Sequence, residues 1–134
     1  REPGAQRPQI RVLADAPRMA EIFVNLLRNA RNAISRRFDG ADPDATAGTK
    51  RLIVVEAFVK DPYVALVFTN NGVPVPAANQ EKIFLPAFHA RDPEKSGLGL
   101  PETAALLKQM GGAIRCESLG ELGTRFILTL PKAP

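Results

Sequence analysis

Three asparagines carry the first chemical signal: Asn25, Asn29 and Asn32, within EIFVNLLRNARNAI, Glu21 to Ile34. Asparagine is a poor helix-interior residue, because its amide competes for nearby backbone groups. The run nevertheless reads as a helix. On a wheel turning about 100° per residue, Met19, Ile22, Phe23, Leu26, Leu27, Ala30, Ala33 and Ile34 share one broad side. Glu21, Asn25, Arg28, Asn29 and Asn32 share the other. The apolar side must pack, and the polar side is free to line something. A solvated helix face favours Glu, Lys and Arg. Short amides stacked along a helix suit a different task, as neutral oxygen ligands for a hard cation. One amide oxygen with phosphate oxygens and waters is a magnesium arrangement.

Glycines supply the second signal. Asn70-Asn71-Gly72 follows a strand-like run, KSGLGLPE (95–102) sets two glycines before a helix, and GELGT (120–124) joins two further strand-like runs. Glycines at a helix start let backbone N–H groups approach a phosphate, where the helix dipole also helps. Each segment alone is equally readable as an ordinary turn. GLGL matches neither the P-loop pattern nor the dinucleotide fingerprint.

The elements that must position these residues follow from the pattern. Residues 1–8 hold Pro3, Gly4 and Pro8 and read as a lead-in. QIRVLA (9–14) alternates and predicts a first strand, and Asp15 before Ala16-Pro17 predicts a helix over 16–37. The polar stretch 39–50 predicts a loop. RLIVVEAFV (51–59) and YVALVFT (63–69) predict a hairpin around Asp61-Pro62. Pro74 and Pro76 end regular strand at 70–76, and NQEKIF (79–84) predicts one or two helical turns. Residues 85–97 predict a mobile loop, and Pro101 opens a helix that ends near Met110 at Gly111-Gly112. AIRCESL (113–119) and TRFILTL (124–130) predict a closing strand pair. The order β-α-β-β-α-β-β defines a two-layer α/β sandwich, with a mixed, mostly antiparallel sheet covered on one face by helices.

Composition bounds the rest. The 134 residues suffice for one domain with a real core, and the apolar share of 45% is that of a folded chain. No run is long enough for a transmembrane helix. One cysteine, Cys116, and one histidine, His89, exclude an intrachain disulfide and a Cys/His zinc site, and fit a reducing, cytoplasmic setting. The formal charge of +4 does not argue for nucleic acid, since aromatics are only 6% and the basic residues are spread, with their densest patch at Arg28, Arg31, Arg36 and Arg37. The opening residue is Arg1, not Met, so a fragment or processed chain is expected.

Taken in order, the asparagine helix, the Asn/Gly turn, a phenylalanine-flanked loop, the GLGL helix start and the GxxGT hairpin are specific. The chain resembles the ATP-binding catalytic domain of sensor histidine kinases, within the GHKL superfamily of gyrase, Hsp90 chaperones and related ATPases, from about residue 9 to 131. That resemblance implies a Bergerat-type ATP-binding fold, with ATP and Mg2+ as ligands. Asn25 to Ala30 match the family's N box. The resemblance makes Asn29 the magnesium ligand and turns Asn25 toward the phosphates. Asn32 stands where many kinases place a phosphate-contacting lysine, and Glu21 where the ATPases hold their water-activating glutamate. KIFLPAFHAR (82–91) resembles the F box, with Phe84 and Phe88 as its aromatics and Arg91 as its phosphate-contacting cation. His89 falls on a lid threonine and is not the phosphoaccepting histidine. Ser96, Gly97, Leu98, Gly99 and Leu100 match the second glycine box, and Thr124 the threonine that holds adenine through a water.

Departures from the pattern fall at the base. The first glycine box usually reads DNGxGI; here it is NNGVPV (70–75), with Gly72 kept. Asn70 replaces the aspartate that accepts from the adenine 6-amino group. The lost charge assistance weakens that bond by about 1 kcal/mol, or roughly five-fold in affinity. An amide can also donate to a guanine 6-oxo group, which relaxes discrimination against GTP. Pro74 replaces a glycine and forces the turn to be rebuilt if a left-handed residue is needed there. Lys95 stands where many members have glycine.

The resulting expectation is a histidine kinase catalytic domain with residues 85–97 as ATP lid. It would transfer the ATP γ-phosphoryl group to a histidine on a separate dimerisation domain, absent here, and so serve a response regulator. No nucleic-acid or membrane contact is expected of it. Two alternatives stay open: a degenerate docking module with weak or no ATP binding, and a stand-alone serine kinase of the anti-sigma-factor kind.

Overall fold

A computed structural model describes residues 9–40, 42–90 and 99–134. Helix α1 spans Ala16–Phe38, one residue beyond the predicted helix. Asp15 caps it, its carboxylate accepting from the Arg18 N–H at 3.1 Å, and Pro17 lies in the first turn, where no N–H is needed. Arg36 and Arg37 in the last turn complement the helix dipole.

The loop after α1 contains one short 3-10 helix at Pro43–Thr46. Strands β1 (Ile53–Lys60) and β2 (Tyr63–Asn70) then form the expected hairpin. After β2 come two 3-10 turns, Ala77–Asn79 and Lys82–Phe84, and helix α2, Pro86–Ala90. The predicted loop over 85–97 therefore begins as a helix, and its residues 91–97 lie outside the described residues. Helix α3 is Leu100–Gln109, and strands β3 (Ala113–Ser118) and β4 (Thr124–Pro131) close the chain.

The sheet has four strands in the order β1-β2-β4-β3, and all three pairings are antiparallel. The predicted first strand at 9–14 is reduced to one bridge, Val12 with Lys132, beside bonds from Leu13 N–H to Pro131 and from Ala133 N–H to Arg11. Pro131 offers no N–H at this point, so a regular ladder cannot extend along β4. The mixed sheet is accordingly wholly antiparallel among the described residues.

Alternation places Val64, Leu66, Phe68 and Asn70 of β2 on the same face as Leu130, Leu128, Phe126 and Thr124 of β4. Ile22 and Leu26 from α1 and Leu100 and Leu107 from α3 bury against that face. Each such side chain contributes roughly 1.5–3 kcal/mol of burial. Phe23 meets Phe68 with ring centroids 5.3 Å apart, and Phe84 meets Phe126 edge-on at 6.4 Å. The helix layer stops short of β1, where Ile53, Val55 and Val59 stay exposed. Among the described residues no helix is long and apolar enough to cross a membrane.

Cys116 lies in this core, and burial, with Glu117 alongside, pushes its thiol up to about 12 from an ordinary 9.0. The folded chain therefore holds the proton more tightly than the unfolded chain. Its contribution to stability is complete below pH 9 and is lost as pH rises from there toward 12. We expect Ellman-type labelling of Cys116 to be slow in the native protein at pH 8 and fast in denaturant. Fast labelling of the folded chain would contradict the buried placement.

Candidate functional site

The site is laid out along α1. At its C-terminal half, α1 meets the turn after β2 backbone to backbone. A Cβ added to Gly72 would lie 2.3 Å from the Ala33 carbonyl carbon, so only glycine fits there. The Val73 N–H donates to the Ala33 carbonyl at 3.0 Å, and the Arg37 guanidinium donates to the Asn71 carbonyl. Gly72 is needed for space and not for its dihedral angle: the turn 71–76 has no residue of positive φ. Pro74 is thus accommodated without the left-handed residue that the family pattern suggested.

Asn70 and Thr124 face each other across the β2–β4 pairing at this end. Asn70 is 3% exposed and Thr124 1%. Asn70 Oδ1 accepts from the Gly72 N–H at 2.9 Å, and Thr124 Oγ1 accepts from the Val75 N–H at 3.0 Å. These bonds shape the turn and aim both side chains between sheet and helix.

Two helical turns toward the N-terminus, Asn25 meets the start of α3. A Cβ on Gly99 would sit 2.5 Å from the Asn25 side chain, and Gly99 has φ of 72°, the left-handed region that glycine tolerates. Asn25 Nδ2 donates to the Gly99 carbonyl at 3.5 Å and to Thr103 Oγ1 at 3.4 Å. Thr103 in turn donates its hydroxyl to the Gly99 carbonyl at 2.7 Å. Asn25 therefore struts the two helices. Among the described residues no side chain caps α3, which leaves its first-turn N–H groups available to an anion.

Between these ends lie Asn29 and Asn32, both half-buried and without a hydrogen-bond partner among the described residues. Glu21 is exposed one turn before Asn25. The rise from Asn25 to Ala33 is about 12 Å along the helix axis. The helix thus joins a pair of buried polar side chains at one end to an uncapped helix start at the other.

Of the expected site residues, the structure brings Asn25, Gly99 and the start of α3 together, and sets Asn70, Gly72 and Thr124 together at the other end. The Leu100 side chain is buried in the core, so only its backbone is available to a ligand. Arg91, Ser96, Gly97 and Leu98 lie outside the described residues. The F-box rings Phe84 and Phe88 pack against the core and anchor the segment before them. Three supports were not read from the sequence. Thr103 is fully buried against Gly99; a threonine four residues after a helix-opening glycine is the available signal. Asn71 clamps the chain before β1, accepting from Leu52 N–H at 2.9 Å and donating to the Lys50 carbonyl at 2.7 Å. Gln80 accepts from the Ser118 N–H at 2.7 Å. No local pattern announces either of these last two.

Residues 14–134 match the family described as histidine kinase-, DNA gyrase B-, and HSP90-like ATPase, and the chain belongs to it. Among its relatives is the sensor kinase CckA of Brucella abortus, 33% identical over 129 residues, or 90% of this chain and 13% of that protein. Another is the C4-dicarboxylate transport sensor protein DctB of Rhizobium meliloti, 32% identical over 124 residues, or 92% of this chain and 18% of that protein. The chain thus spans only a small part of these sensor kinases. Among solved structures, the catalytic domain of histidine kinase ThkA superposes with a TM-score of 0.66 at 28% identity, covering 89% of this chain and 68% of that one. Full-length ShkA, crystallised with AMPPNP, superposes at 0.70 with 25% identity, covering 94% of this chain and 24% of that one. The fold is that of histidine kinase catalytic domains.

The contact at Gly72 gives a direct test. Gly72→Ala forces the helix and turn apart and is expected to cost roughly 1–3 kcal/mol, read as a drop in thermal midpoint. Gly40→Ala, whose added Cβ would meet nothing nearer than 3.6 Å, should leave the midpoint almost unchanged. Equal effects would show that the contact does not constrain the fold.

Proposed function

We propose that the chain is the nucleotide-binding catalytic domain of a sensor histidine kinase. It transfers the γ-phosphoryl group of ATP to a histidine on a separate dimerisation domain, from which a response regulator is then served. The observation that supports this best is the pairing, along one helix, of an uncapped α3 start beside Asn25 with the buried Asn70–Thr124 pair.

In this reading the base lies against Asn70 and Thr124, above Gly72. The phosphates extend past Asn29 and Asn32 to Asn25 and the first N–H groups of α3. Arg91 and the segment of Ser96, Gly97 and Leu98 complete the phosphate contacts. The acceptor imidazole attacks the γ-phosphorus in line, the bond to the bridging oxygen breaks, and ADP leaves with the electron pair. The domain's task is positioning and charge neutralisation. Glu21, on the same stripe, stands ready to take up the imidazole proton.

The donor set fits magnesium. Among the described residues no cluster of three His, Cys, Asp or Glu could cage a metal. A half-buried amide oxygen with no protein partner among the described residues, at Asn29, suits an ion held largely by phosphate oxygens and water. Magnesium bound there supplies neutralisation of phosphate charge. The parent protein's catalytic work takes place in the cytoplasm, and this domain needs no contact with a membrane.

The docking-module alternative draws on Asn70 alone, since Pro74 fits its turn. Calorimetric titration of ADP and a non-hydrolysable ATP analogue, with and without magnesium, separates the two. Wild type should bind in a magnesium-dependent way. Asn29→Ala should weaken that binding at least ten-fold with little change in thermal midpoint. Absence of any binding at millimolar nucleotide would give the docking reading the lead.

A further inference from the structure

Resting on that nucleotide-binding reading, we propose that Thr103 is a positioning residue at the phosphate end of the site. Its hydroxyl holds the Asn25 amide with the oxygen outward, so that Asn25 offers an acceptor to magnesium or its water, and not a donor to a phosphate.

The direction of a short hydrogen-bond relay carries the inference. Thr103 is fully buried. Its hydroxyl donates to the Gly99 carbonyl at 2.7 Å, so its single proton is committed there. Only its lone pairs remain for Asn25. Asn25 meets them at 3.4 Å with Nδ2, the end of the amide that donates. The same Nδ2 lies 3.5 Å from the Gly99 carbonyl oxygen, which can only accept. Turning the amide over would set Oδ1 against that oxygen and against a hydroxyl with no proton to give. Both bonds are long, yet both select the same end of the amide. A threonine hydroxyl bonded to the carbonyl four residues back is by itself a local helix habit. Here it also sets the polarity that meets a residue 78 positions away in the chain.

Asn25 Oδ1 is left turned away from Thr103 and from the Gly99 carbonyl. It has no partner among the described residues, and no fully enclosed side-chain oxygen or nitrogen there lacks one, so Oδ1 is open to solvent. An amide oxygen has lone pairs and no proton, and so cannot hydrogen-bond a phosphate oxygen. It can accept from water around a hard cation, or bind that cation. Asn29, at i+4, stands beside it on α1 and has no partner among the described residues, so its amide is free to turn the same way. Donors for the phosphates come instead from the N–H groups at the start of α3. Without the Thr103 hydroxyl the Asn25 amide could present either end.

The test is calorimetric titration of a non-hydrolysable ATP analogue into wild type, Thr103→Val, Thr103→Ala and Thr103→Ser, each with magnesium and with EDTA. The quantity read is the magnesium gain, the ratio of the two affinities. Thr103→Val removes the hydroxyl but keeps the side-chain shape and the backbone bond from the N–H of position 103 to the Gly99 carbonyl, 2.8 Å in wild type. It should cut the gain about five-fold and leave the affinity in EDTA within about two-fold of wild type. Thr103→Ser keeps the hydroxyl and should keep the gain. Thr103→Ala should lose it as Thr103→Val does, so failure of one hydroxyl-free variant to fold leaves the other to decide. A loss that is equal with magnesium and with EDTA makes Thr103 a packing residue and overturns the proposal. So does an unchanged gain in the hydroxyl-free variants, or an equal loss of gain in Thr103→Ser. A wild type that binds the nucleotide with no magnesium gain overturns it too, and leaves nucleotide binding intact. No binding by any of the four proteins overturns the proposed function as well.

Discussion

The contact between Gly72 and the α1 backbone at Ala33 is the constraint on which the site depends. It joins the two layers without a side chain between them. A backbone-to-backbone contact cannot be relieved by changing a rotamer, and the Val73 N–H bond to Ala33 fixes its register. Once it is set, the placement of Asn29 and Asn25 follows from the rise of the helix. The same turn holds Asn70 Oδ1 through the Gly72 N–H, so one glycine fixes both the helix and the Asn70 amide. The apolar face of α1 could pack on the sheet in several ways. This contact selects one.

The opposite end is held differently. Asn25 reaches Gly99 and Thr103 only at 3.5 and 3.4 Å, long for hydrogen bonds of this kind. Burial places α3 more firmly than these bonds do. Leu100 and Leu107 are in the core, and Thr103 is fully buried beneath Gly99. The side chain of Leu100 and the backbone before it therefore have separate duties, one toward the core and one toward the site. That division explains why a glycine must precede it. The chain has to leave the core and turn at once, and Gly99 does so with a φ of 72°.

Much of this was legible in the residues. The 3.6-residue period of α1 and the acidic residue before proline placed that helix to within one residue, because packing and capping agree there. The hairpin strands and the last two strands likewise follow from alternation. The polar stripe of Asn25, Asn29 and Asn32 was readable because asparagine runs against helix propensity. What failed did so for non-local reasons. Residues 9–14 alternate like a strand, yet their would-be neighbour ends in Pro131, which lacks the donor that a ladder needs. Pro74 looked disruptive because the family pattern suggests a special backbone dihedral at that position, whereas the turn is governed by the space at Gly72. The clamp at Asn71 and the Gln80 bond to Ser118 join segments distant in sequence, and nothing in the spacing of either residue signals its partner.

Asn70 also bears on the fold itself. A carboxylate at a position only 3% exposed would be a buried charge facing one backbone N–H and, in the absence of a ligand, little else. Desolvation disfavours such a charge, and the penalty falls on the empty protein. A neutral amide avoids it while keeping the bond to Gly72. The exchange is not symmetrical, however. A carboxylate accepts at both oxygens, so anchoring one to the turn leaves the other an acceptor. An amide anchored by its oxygen keeps that oxygen's second lone pair and adds an NH2 donor beside it. The relief from burying charge therefore comes with a donor in place of the carboxylate's second oxygen at a buried position.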